Sequence, residues 1–400
     1  MMRNDYSHLI SQHSDVPIRA HFMMDQIAGH VAQYRNLRQV VDGDPSIDAS
    51  WHEIHFYREG HLLERVAESL RIVPPYVMGM SRGALEFNRG SKDITSDVIY
   101  TNSSIAALFT RRLTATPTLL HVDSTPLQID RMTAYSSPAV AQRLINLKHR
   151  MSTRLFTSVA AIHAWSDWAR RSFIEEYGVH PDRVVISPPG VDLNQWLPRS
   201  TERATDEPVR VLFVGGDFER KGGRLLLDWF ARQPAGTVQL DLVTRAEVEP
   251  RPGIRLHRDL VPNSPELCRL FSEADIYAMP SLAECFGIAT VEAMAAGLPV
   301  VVSDSGGATD IVAGGVNGFI VAAGQPSPLA AALDRLVGDR NLRESMAAAS
   351  LERARRLFDI DITSRRIIDG LRSIQRPIAP HDDVLDKRAS HGIVRHRANE

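Results

Sequence analysis

Short apolar runs alternate with longer amphipathic segments through the first half of the chain. Runs rich in β-branched or aromatic residues predict buried strands at 18–24, 97–101, 118–122, 159–165 and 184–187. Apolar residues recur at helical spacing at 31–41, 139–156 and 168–177. Strands that alternate with helices are typical of a doubly wound α/β domain with a parallel sheet.

The same alternation begins again near residue 209. Strands are predicted at 209–214, 238–243, 254–256, 276–279 and 300–302, with helices at 267–274, 328–336 and 340–357. A polar, irregular stretch at 201–208 between the two halves is typical of a linker. A length of 400 residues is too great for one compact core. We therefore predict a first domain at 1–200, a second at 201–361 and a disordered polar tail at 376–400.

Composition excludes several classes of protein. A net charge of −2 argues against a general nucleic-acid binder. Two cysteines, Cys268 and Cys285, give no disulfide framework and favour a reducing cytoplasmic setting. No apolar run is long enough to span a bilayer, and the first twenty residues lack the apolar core of a signal peptide. The basic amphipathic segment 139–156 fits peripheral membrane contact, but we favour a solvated helix face.

Two Asp-x-Asp patterns, at 42–44 and 359–361, are candidate metal sites. The first lies in a turn with Gly43 and Pro45 and has no apolar strand leading into it. The second lies near the end of the globular part of the chain. We therefore predict no metal site.

One stretch at 281–302 carries candidate chemistry. A helix is predicted to begin near Phe286 or Gly287 and to stop at 297–299, where Gly and Pro follow each other closely. Glu284 lies just before this helix and Glu292 lies on it. Unpaired amides at a helix start bind anions, and carboxylates bind hydroxyls, so the stretch fits a diphosphate-sugar site. For the two carboxylates taken alone, we favour the ordinary interpretation of one dipole-favoured N-terminal Glu and one exposed helix Glu.

A second candidate is the glycine-rich loop that follows the strand at 209–214. Gly215 and Gly216 open the loop, and Arg220 and Lys221 precede the next helix. A strand, a glycine-rich loop and a helix form a phosphate-binding arrangement, although the spacing is neither G-x-G-x-x-G nor a Walker A motif. The chain has few lysines, and one of them at this position favours a binding site.

Residues 280–307 resemble the donor-site signature of retaining glycosyltransferases of the GT-B fold, family 4. The likeness includes Pro280-Ser281, Glu284, Phe286-Gly287, Glu292-Ala293-Met294-Ala295, Gly297-Leu298-Pro299-Val300 and Ser305-Gly306-Gly307. Residues 188–192 and the loop with Arg220 and Lys221 resemble family signatures as well. Cys285 departs from the small Gly or Ser usual there. The resemblance implies two Rossmann-like domains facing a cleft, with a last helix near 362–375 crossing back to the first domain.

The resemblance also implies roles for individual residues. Arg220, Lys221 and the helix start would hold the donor diphosphate, without a metal or other cofactor. Glu292 would bind ribose hydroxyls, Glu284 sugar hydroxyls, and His121 would orient the donor sugar across the cleft. The residues expected to bind the donor are Gly29, Gly215, Gly216, Phe286, Gly287 and Glu292.

The implied activity is retaining transfer of a sugar from a nucleotide-diphosphate sugar, of UDP or GDP type. A GT-B phosphorylase, a sugar-nucleotide epimerase and a nucleotide-sugar-binding scaffold remain alternatives. Loss of Arg220, Lys221, Glu284 or Glu292 would favour the scaffold, and all four are present. The acceptor stays open among a sugar, a lipid-linked sugar and a small metabolite.

Overall fold

The computed structural model describes residues 16–27, 29–56, 75–92, 94–132, 134–135, 142–198 and 207–375. Three sequence predictions lie wholly or largely outside these residues. They are the disordered tail at 376–400, most of the linker at 201–208, and the start of the helix predicted at 139–156.

The first sheet has six parallel strands in the order β2-β1-β3-β4-β5-β6. Chain order and sheet order diverge after β2, because β3 returns to the other side of β1. In open α/β sheets, ligands bind at such a switch point, outside the carboxyl ends of the strands. The strands are β1 Ile18–Asp25, β2 Ile47–Ile54, β3 Val98–Thr101, β4 Thr118–Val122, β5 Ala161–Ala164 and β6 Val184–Ile186.

The second sheet also has six parallel strands, in the order β12-β11-β10-β7-β8-β9. Its switch point lies between β7 and β10, since the chain leaves β7 toward β8 and later returns to pair β10 with β7. The strands are β7 Val209–Val214, β8 Val238–Val243, β9 Ile254–His257, β10 Ile276–Met279, β11 Val300–Ser303 and β12 Gly318–Val321.

Helices connect the strands of both sheets. In the first half they are α1 Gly29–Val41, α2 Pro75–Gly90, α3 Thr110–Leu113, α4 Pro126–Arg131, α5 Gln142–Ser158 and α6 Asp167–Glu175. In the second half they are α7 Gly223–Phe230, α8 Pro265–Glu273, α9 Ile288–Ala295, α10 Ala308–Ile311, α11 Pro326–Gly338, α12 Arg340–Leu357 and α13 Ile360–Ile374. Short 3₁₀ turns lie at Ser104–Phe109 and Pro181–Arg183. Within the described residues, no helix is both long and apolar enough to cross a membrane.

The α/β fold class of two parallel, doubly wound sheets is confirmed. The sequence analysis did not predict β2, α2 or β12. Strand β2 is an edge strand on which most side chains are partly or fully exposed, so it lacks the apolar run that marks the central strands. Helix α13 packs on α1 and on strands β3, β4 and β5, so the last described element covers the first sheet.

The two halves of the chain pack against each other. The Trp165 ring, just after β5, meets the Phe286 ring in an edge-on contact with centroids 5.5 Å apart. Asn263 donates a side-chain hydrogen bond to Asn36 at 2.7 Å, and Arg35 donates to the carbonyl of Pro262 at 2.6 Å. These contacts bring the carboxyl ends of the two sheets together around one cleft.

Candidate functional site

The loops that follow β7 and β10 meet at the second sheet's switch point. Gly222 has a positive φ of +77°, and a Cβ there would lie 2.0 Å from the carbonyl oxygen of Pro280. Only glycine fits such an approach. The backbone amide of Leu282 donates to the carbonyl of Arg220 at 2.7 Å, which fixes the two loops side by side.

Lys221 and Glu284 form an ion pair across this junction. Both side chains are largely buried, at 16% and 12% exposure. Burial, followed by the charge of Arg220, lowers the pKa of Lys221 to about 7. Contact with the Glu284 carboxylate favours the ammonium form instead. The two residues predicted on separate motifs therefore lie in one cluster.

Arg220 extends this cluster toward the first half of the chain. Its Nε donates to Asp217 at 3.0 Å, and its Nη1 donates to the carbonyl of Ala283 at 2.9 Å. The same Nη1 donates to the hydroxyl of Tyr135 at 2.8 Å, and the guanidinium carbon lies 4.4 Å from the centre of the Tyr135 ring. Tyr135 thus orients Arg220 from across the cleft.

The start of helix α9 lies beside this cluster. Gly287 has a φ of +101° and is the residue before the helix, so glycine is required for the turn. The Phe286 side chain is buried against Trp165 and Phe358, so only its backbone is placed to serve a ligand. First-turn amides of a helix lack backbone partners and carry partial positive charge.

Glu292 lies on α9 and is a buried residue, 5% exposed. No hydrogen bond to this carboxyl is found among the described residues. Burial raises its pKa to about 8, so the free protein holds it largely protonated at neutral pH. A buried acid without a partner is costly and marks a candidate binding residue.

The predicted glycines take different positions. Gly215 follows β7 and packs closely, because a Cβ there would lie 2.9 Å from the Phe213 ring and 3.0 Å from Lys221 Cβ. Gly216 has open space around it. Gly29 begins helix α1 and faces Ile288, the first residue of α9, with its ideal Cβ 3.5 Å from Ile288 Cδ1. The amino ends of α1 and α9 therefore meet at the cleft.

The structure places His121, the residue expected to face the sugar, in the core of the first half of the chain. Its ring is fully buried within the first sheet. Nε2 donates to the carbonyl of Ser187 at 2.7 Å, and Nδ1 accepts from the hydroxyl of Tyr100 at 2.5 Å. Burial lowers the pKa of His121 to about 3. Both nitrogens are used within the protein, so His121 is a core residue of the first sheet.

The sequence analysis missed three residues near the first sheet's switch point. Asp25 ends β1, Asp123 follows β4, and His30 lies in the first turn of α1. Nε2 of His30 is 3.9 Å from Oδ2 of Asp123. The signal in the sequence is the position of Asp123 directly after the buried strand 118–122.

Cys285 forms a further contact between the two halves of the chain. The buried thiol of Cys285 lies against Ser124 and Tyr135, and burial raises its pKa to about 12. This thiol is therefore protonated, and it lies where the loop after β10 contacts the first half of the chain.

Metal-type ligand clusters are not found in the part of the chain that the structure describes. The two Asp-x-Asp patterns have structural partners there. Asp42 accepts from the Trp51 indole at 2.8 Å, and Asp44 accepts from Ser46. Asp359 caps helix α13 by accepting from the backbone amide of Asp361 at 2.8 Å.

Two family models match the chain. The model for glycosyl transferases group 1 matches residues 253–353, and the model for Glycosyltransferase Family 4 matches residues 48–195. The first match includes α9 with Glu284 and Glu292, and the second includes most of the first sheet.

Curated relatives include proteins named D-inositol 3-phosphate glycosyltransferase. One from Corynebacterium urealyticum is 31% identical over 241 residues, which cover 53% of this chain and 56% of the relative. Another from Paenarthrobacter aurescens is 26% identical over 268 residues, covering 62% of this chain and 65% of the relative. The matched part of the chain thus spans between about half and two thirds of the length of these relatives.

Solved structures share the fold at low sequence identity. A sucrose-phosphate synthase from Thermosynechococcus elongatus superposes with a TM-score of 0.68 at 15% identity, covering 89% of this chain and 98% of the other. HepE of Anabaena, solved with UDP-glucose, superposes with a TM-score of 0.64 at 19% identity, covering 89% of this chain and all of the other.

Proposed function

The chain belongs to glycosyltransferase family 4, with the GT-B fold, and from that premise we propose that it transfers a sugar from a nucleotide-diphosphate sugar to an acceptor hydroxyl. We further propose that the configuration at the anomeric carbon is retained. The observation that carries the proposal is the cluster of Arg220, Lys221 and Glu284 beside the start of α9.

The chemistry of the leaving group fits this cluster. As the bond from the anomeric carbon to the diphosphate oxygen breaks, negative charge accumulates on the diphosphate. Arg220 offers a planar fork of donors and Lys221 a compact ammonium group. Nη2 of Arg220 has no partner among the described residues, so this arm of the fork is available to a phosphate oxygen. Fixed positive charge at this position stabilises the departing group more in the transition state than in the bound donor.

Glu284 and Glu292 would bind the hydroxyl groups of the donor, Glu284 those of the sugar and Glu292 those of the ribose. Glu284 lies in the ion pair with Lys221, where a sugar hydroxyl can replace part of the lysine contact. Glu292 lies behind it on α9, buried and with no hydrogen-bond partner among the residues that the structure describes. Ribose hydroxyls that donate to Glu292 would stabilise its ionised form, so nucleotide binding should release a proton.

Retention without a covalent glycosyl-enzyme intermediate requires attack from the side of the leaving group, and this is the step that we propose. The acceptor oxygen attacks the anomeric carbon on the face that the diphosphate leaves. One carbon–oxygen bond forms, the bond to the diphosphate breaks, and the acceptor proton passes to a phosphate oxygen. No side chain is required as a covalent nucleophile, and the protein supplies positioning and charge.

HepE of Anabaena, which shares the fold at 19% identity, was solved with UDP-glucose, and this motivates uracil as the base of the donor. We therefore propose a UDP-sugar donor ahead of a GDP-sugar.

Thermal unfolding in the presence of a chelator tests the donor site. UDP, GDP, ADP and inorganic phosphate are added separately to the wild-type protein and to Arg220→Ala and Glu292→Ala. A ligand at about a hundred times its Kd adds about 2.7 kcal/mol of stability, which gives a clear rise in Tm. We expect UDP to stabilise the wild-type protein and neither variant.

Arg224→Ala is the matched control for Arg220→Ala. Arg224 lies in the first turn of α7 and pairs on the surface with Glu219 at 2.6 Å. It should keep the full response to UDP. Stabilisation by phosphate with no response to any nucleotide would contradict the proposal and favour a phosphorylase.

A further inference from the structure

Three ionisable residues cluster on the first-domain side of the cleft. His30 and Asp123 approach to 3.9 Å, with side-chain exposures of 19% and 25%. Asp25 is within electrostatic reach of both and is 2% exposed. They come from the ends of β1 and β4 and the start of α1, which frame the first sheet's switch point. This is the position at which open α/β sheets bind ligands.

The cluster has unused hydrogen-bonding capacity. Oδ1 of Asp25 and Nδ1 of His30 are buried and have no partner among the described residues. Asp123 contacts His30 and Ser124, and no Arg or Lys of the described residues pairs with it. Buried polar atoms are nearly always satisfied, so this set is poised for a polar ligand.

The charge of the cluster selects among ligands. Burial raises the pKa of Asp123, but contact with His30 outweighs burial and leaves the pKa below its ordinary value. Burial lowers the pKa of His30, but Asp123 and Asp25 raise it by more, so the pKa lies above its ordinary value. Burial raises the pKa of Asp25 to about 6. Pairing therefore favours the charged forms of His30 and Asp123, and with Asp25 the cluster holds two carboxyl groups and one imidazole.

We propose that the His30–Asp123 pair, backed by Asp25, is a subsite for the hydroxyl groups of an uncharged sugar or polyol. Asp123 accepts from a hydroxyl, and His30 holds the carboxylate in place. A phosphate group would meet two acidic side chains and a single histidine that is already paired with Asp123, which opposes binding. The inference rests on the proposed function, in which this side of the cleft faces the transferred sugar and the acceptor.

The inference separates this chain from its curated relatives. Their name specifies a phosphorylated inositol as acceptor. Phosphate sites are usually built from Arg or Lys in forked contacts. In the described part of the cleft, Arg220 is held by Asp217, Tyr135 and Ala283, and Lys221 is held by Glu284. Neither cation is left to serve a second phosphate beside Asp123.

The hydroxyl groups can come from the donor's sugar or from the acceptor, and binding titrations distinguish the two. Kd is measured for UDP, UDP-glucose and UDP-N-acetylglucosamine, then for myo-inositol and myo-inositol 3-phosphate on the UDP-loaded protein. The wild type is compared with Asp123→Asn and with His30→Gln. Loss of a charged hydrogen bond should raise the Kd of the ligand that makes it about tenfold or more.

We expect UDP affinity to stay within about twofold of wild type in Asp123→Asn, which also shows that the variant folds. A selective loss for a UDP-sugar assigns the subsite to the donor's sugar. A selective loss for myo-inositol assigns it to the acceptor. His30→Gln should weaken the same ligand to a smaller extent. Asp182→Asn is the control, since Asp182 is an exposed residue of the same half, with its side chain 89% exposed.

Three outcomes overturn the subsite. One is unchanged affinity for both UDP-sugars and absent or unchanged binding of myo-inositol. Another is tighter binding of myo-inositol 3-phosphate than of myo-inositol to the wild type. The third is an equal loss for UDP and UDP-sugars in Asp123→Asn, which would indicate a structural role. Failure of the wild type to bind any nucleotide overturns the proposed function, and the subsite falls with it.

Discussion

The two faces of the cleft are built alike and charged differently. Each lies at the switch point of a six-stranded parallel sheet, with the start of a helix beside it. The second-domain face presents Arg220 and Lys221 next to the start of α9, whereas the first-domain face presents Asp25 and Asp123 around one histidine. The same architecture thus offers one face suited to a diphosphate and another suited to neutral hydroxyls.

The difference also explains how each face is encoded. The donor face depends on backbone geometry, such as the approach of Gly222 to Pro280, and such geometry restricts the sequence to a motif. The opposite face depends on side chains from three separate elements. No single motif therefore marks that face in the sequence.

The largest expected effect is on turnover in Lys221→Ala. The variant leaves Glu284 without its cation and removes a charge from the leaving diphosphate. Removal of one such stabilising group costs about 10²–10³ in kcat. UDP release from the donor sugar measures it, with Arg224→Ala as the control. A loss below about tenfold in Lys221→Ala would separate the cluster from the chemical step.

Glu292→Gln should change the pH dependence of stability. The folded pKa is raised to about 8 from an ordinary value of 4.5, so between these values the native state holds a proton that the unfolded chain has released. Wild-type stability therefore falls as pH rises from about 4.5 to about 8. The neutral amide lacks this loss and should be more stable than wild type by on the order of 3 kcal/mol at pH 8.5.

Denaturant unfolding from pH 5 to 8.5 measures this difference, with the exposed Glu247→Gln as the control. Parallel curves for wild type and Glu292→Gln would contradict the account of a buried, unpartnered acid. UDP should bind the variant about tenfold more weakly, since the carboxylate contact to ribose is lost.

His121→Gln tests the reassignment of that residue to the core. The folded pKa of His121 is lowered to about 3 from 6.5, so below pH 6.5 the unfolded chain takes up a proton that the native state does not. Wild-type stability is lost as pH falls through this range. The variant should lose about 1–3 kcal/mol at pH 7 and should be less sensitive to acid. Its affinity for UDP should equal that of wild type, and a selective loss of UDP-sugar binding would return His121 to the site.

The smallest expected effect concerns Tyr135, the contact between the two faces. Tyr135→Phe keeps the ring under Arg220 and removes the hydroxyl, whereas Tyr135→Ala removes both. We expect UDP affinity to fall about threefold in the first variant and about tenfold in the second. Equal affinities in both variants and in wild type would show that Arg220 is oriented by Asp217 and Ala283 alone.

Much of the fold followed from sequence because central parallel strands are buried on both sides and read as short apolar runs. Strand β2 was not predicted because it lies at an edge of the sheet and most of its side chains are partly or fully exposed. Helix α2 and strand β12 were not predicted either.

In the candidate site, too, some residues could be predicted from the sequence and others could not. Arg220, Lys221, Glu284 and Glu292 were singled out because glycines and a helix start surround them, and the structure brings the first three into one cluster. His121 belongs to β4 and points into the sheet packing, whereas Asp123 lies beyond the strand and approaches His30. The predicted strand at 118–122 ends at the same residue as β4, so the sequence places Asp123 just beyond it. It does not show that His30, from a separate element, lies opposite Asp123.

A calorimetric titration of UDP in chelator most directly tests the division of charge across the cleft. The wild type, Arg220→Ala and Asp123→Asn are compared under the same conditions. We expect a single site in the wild type, a loss of affinity of about fiftyfold or more in Arg220→Ala, and a change of less than about twofold in Asp123→Asn. Equal affinity in Arg220→Ala and wild type, or a large loss in Asp123→Asn, would contradict the assignment of the diphosphate to the second-domain face.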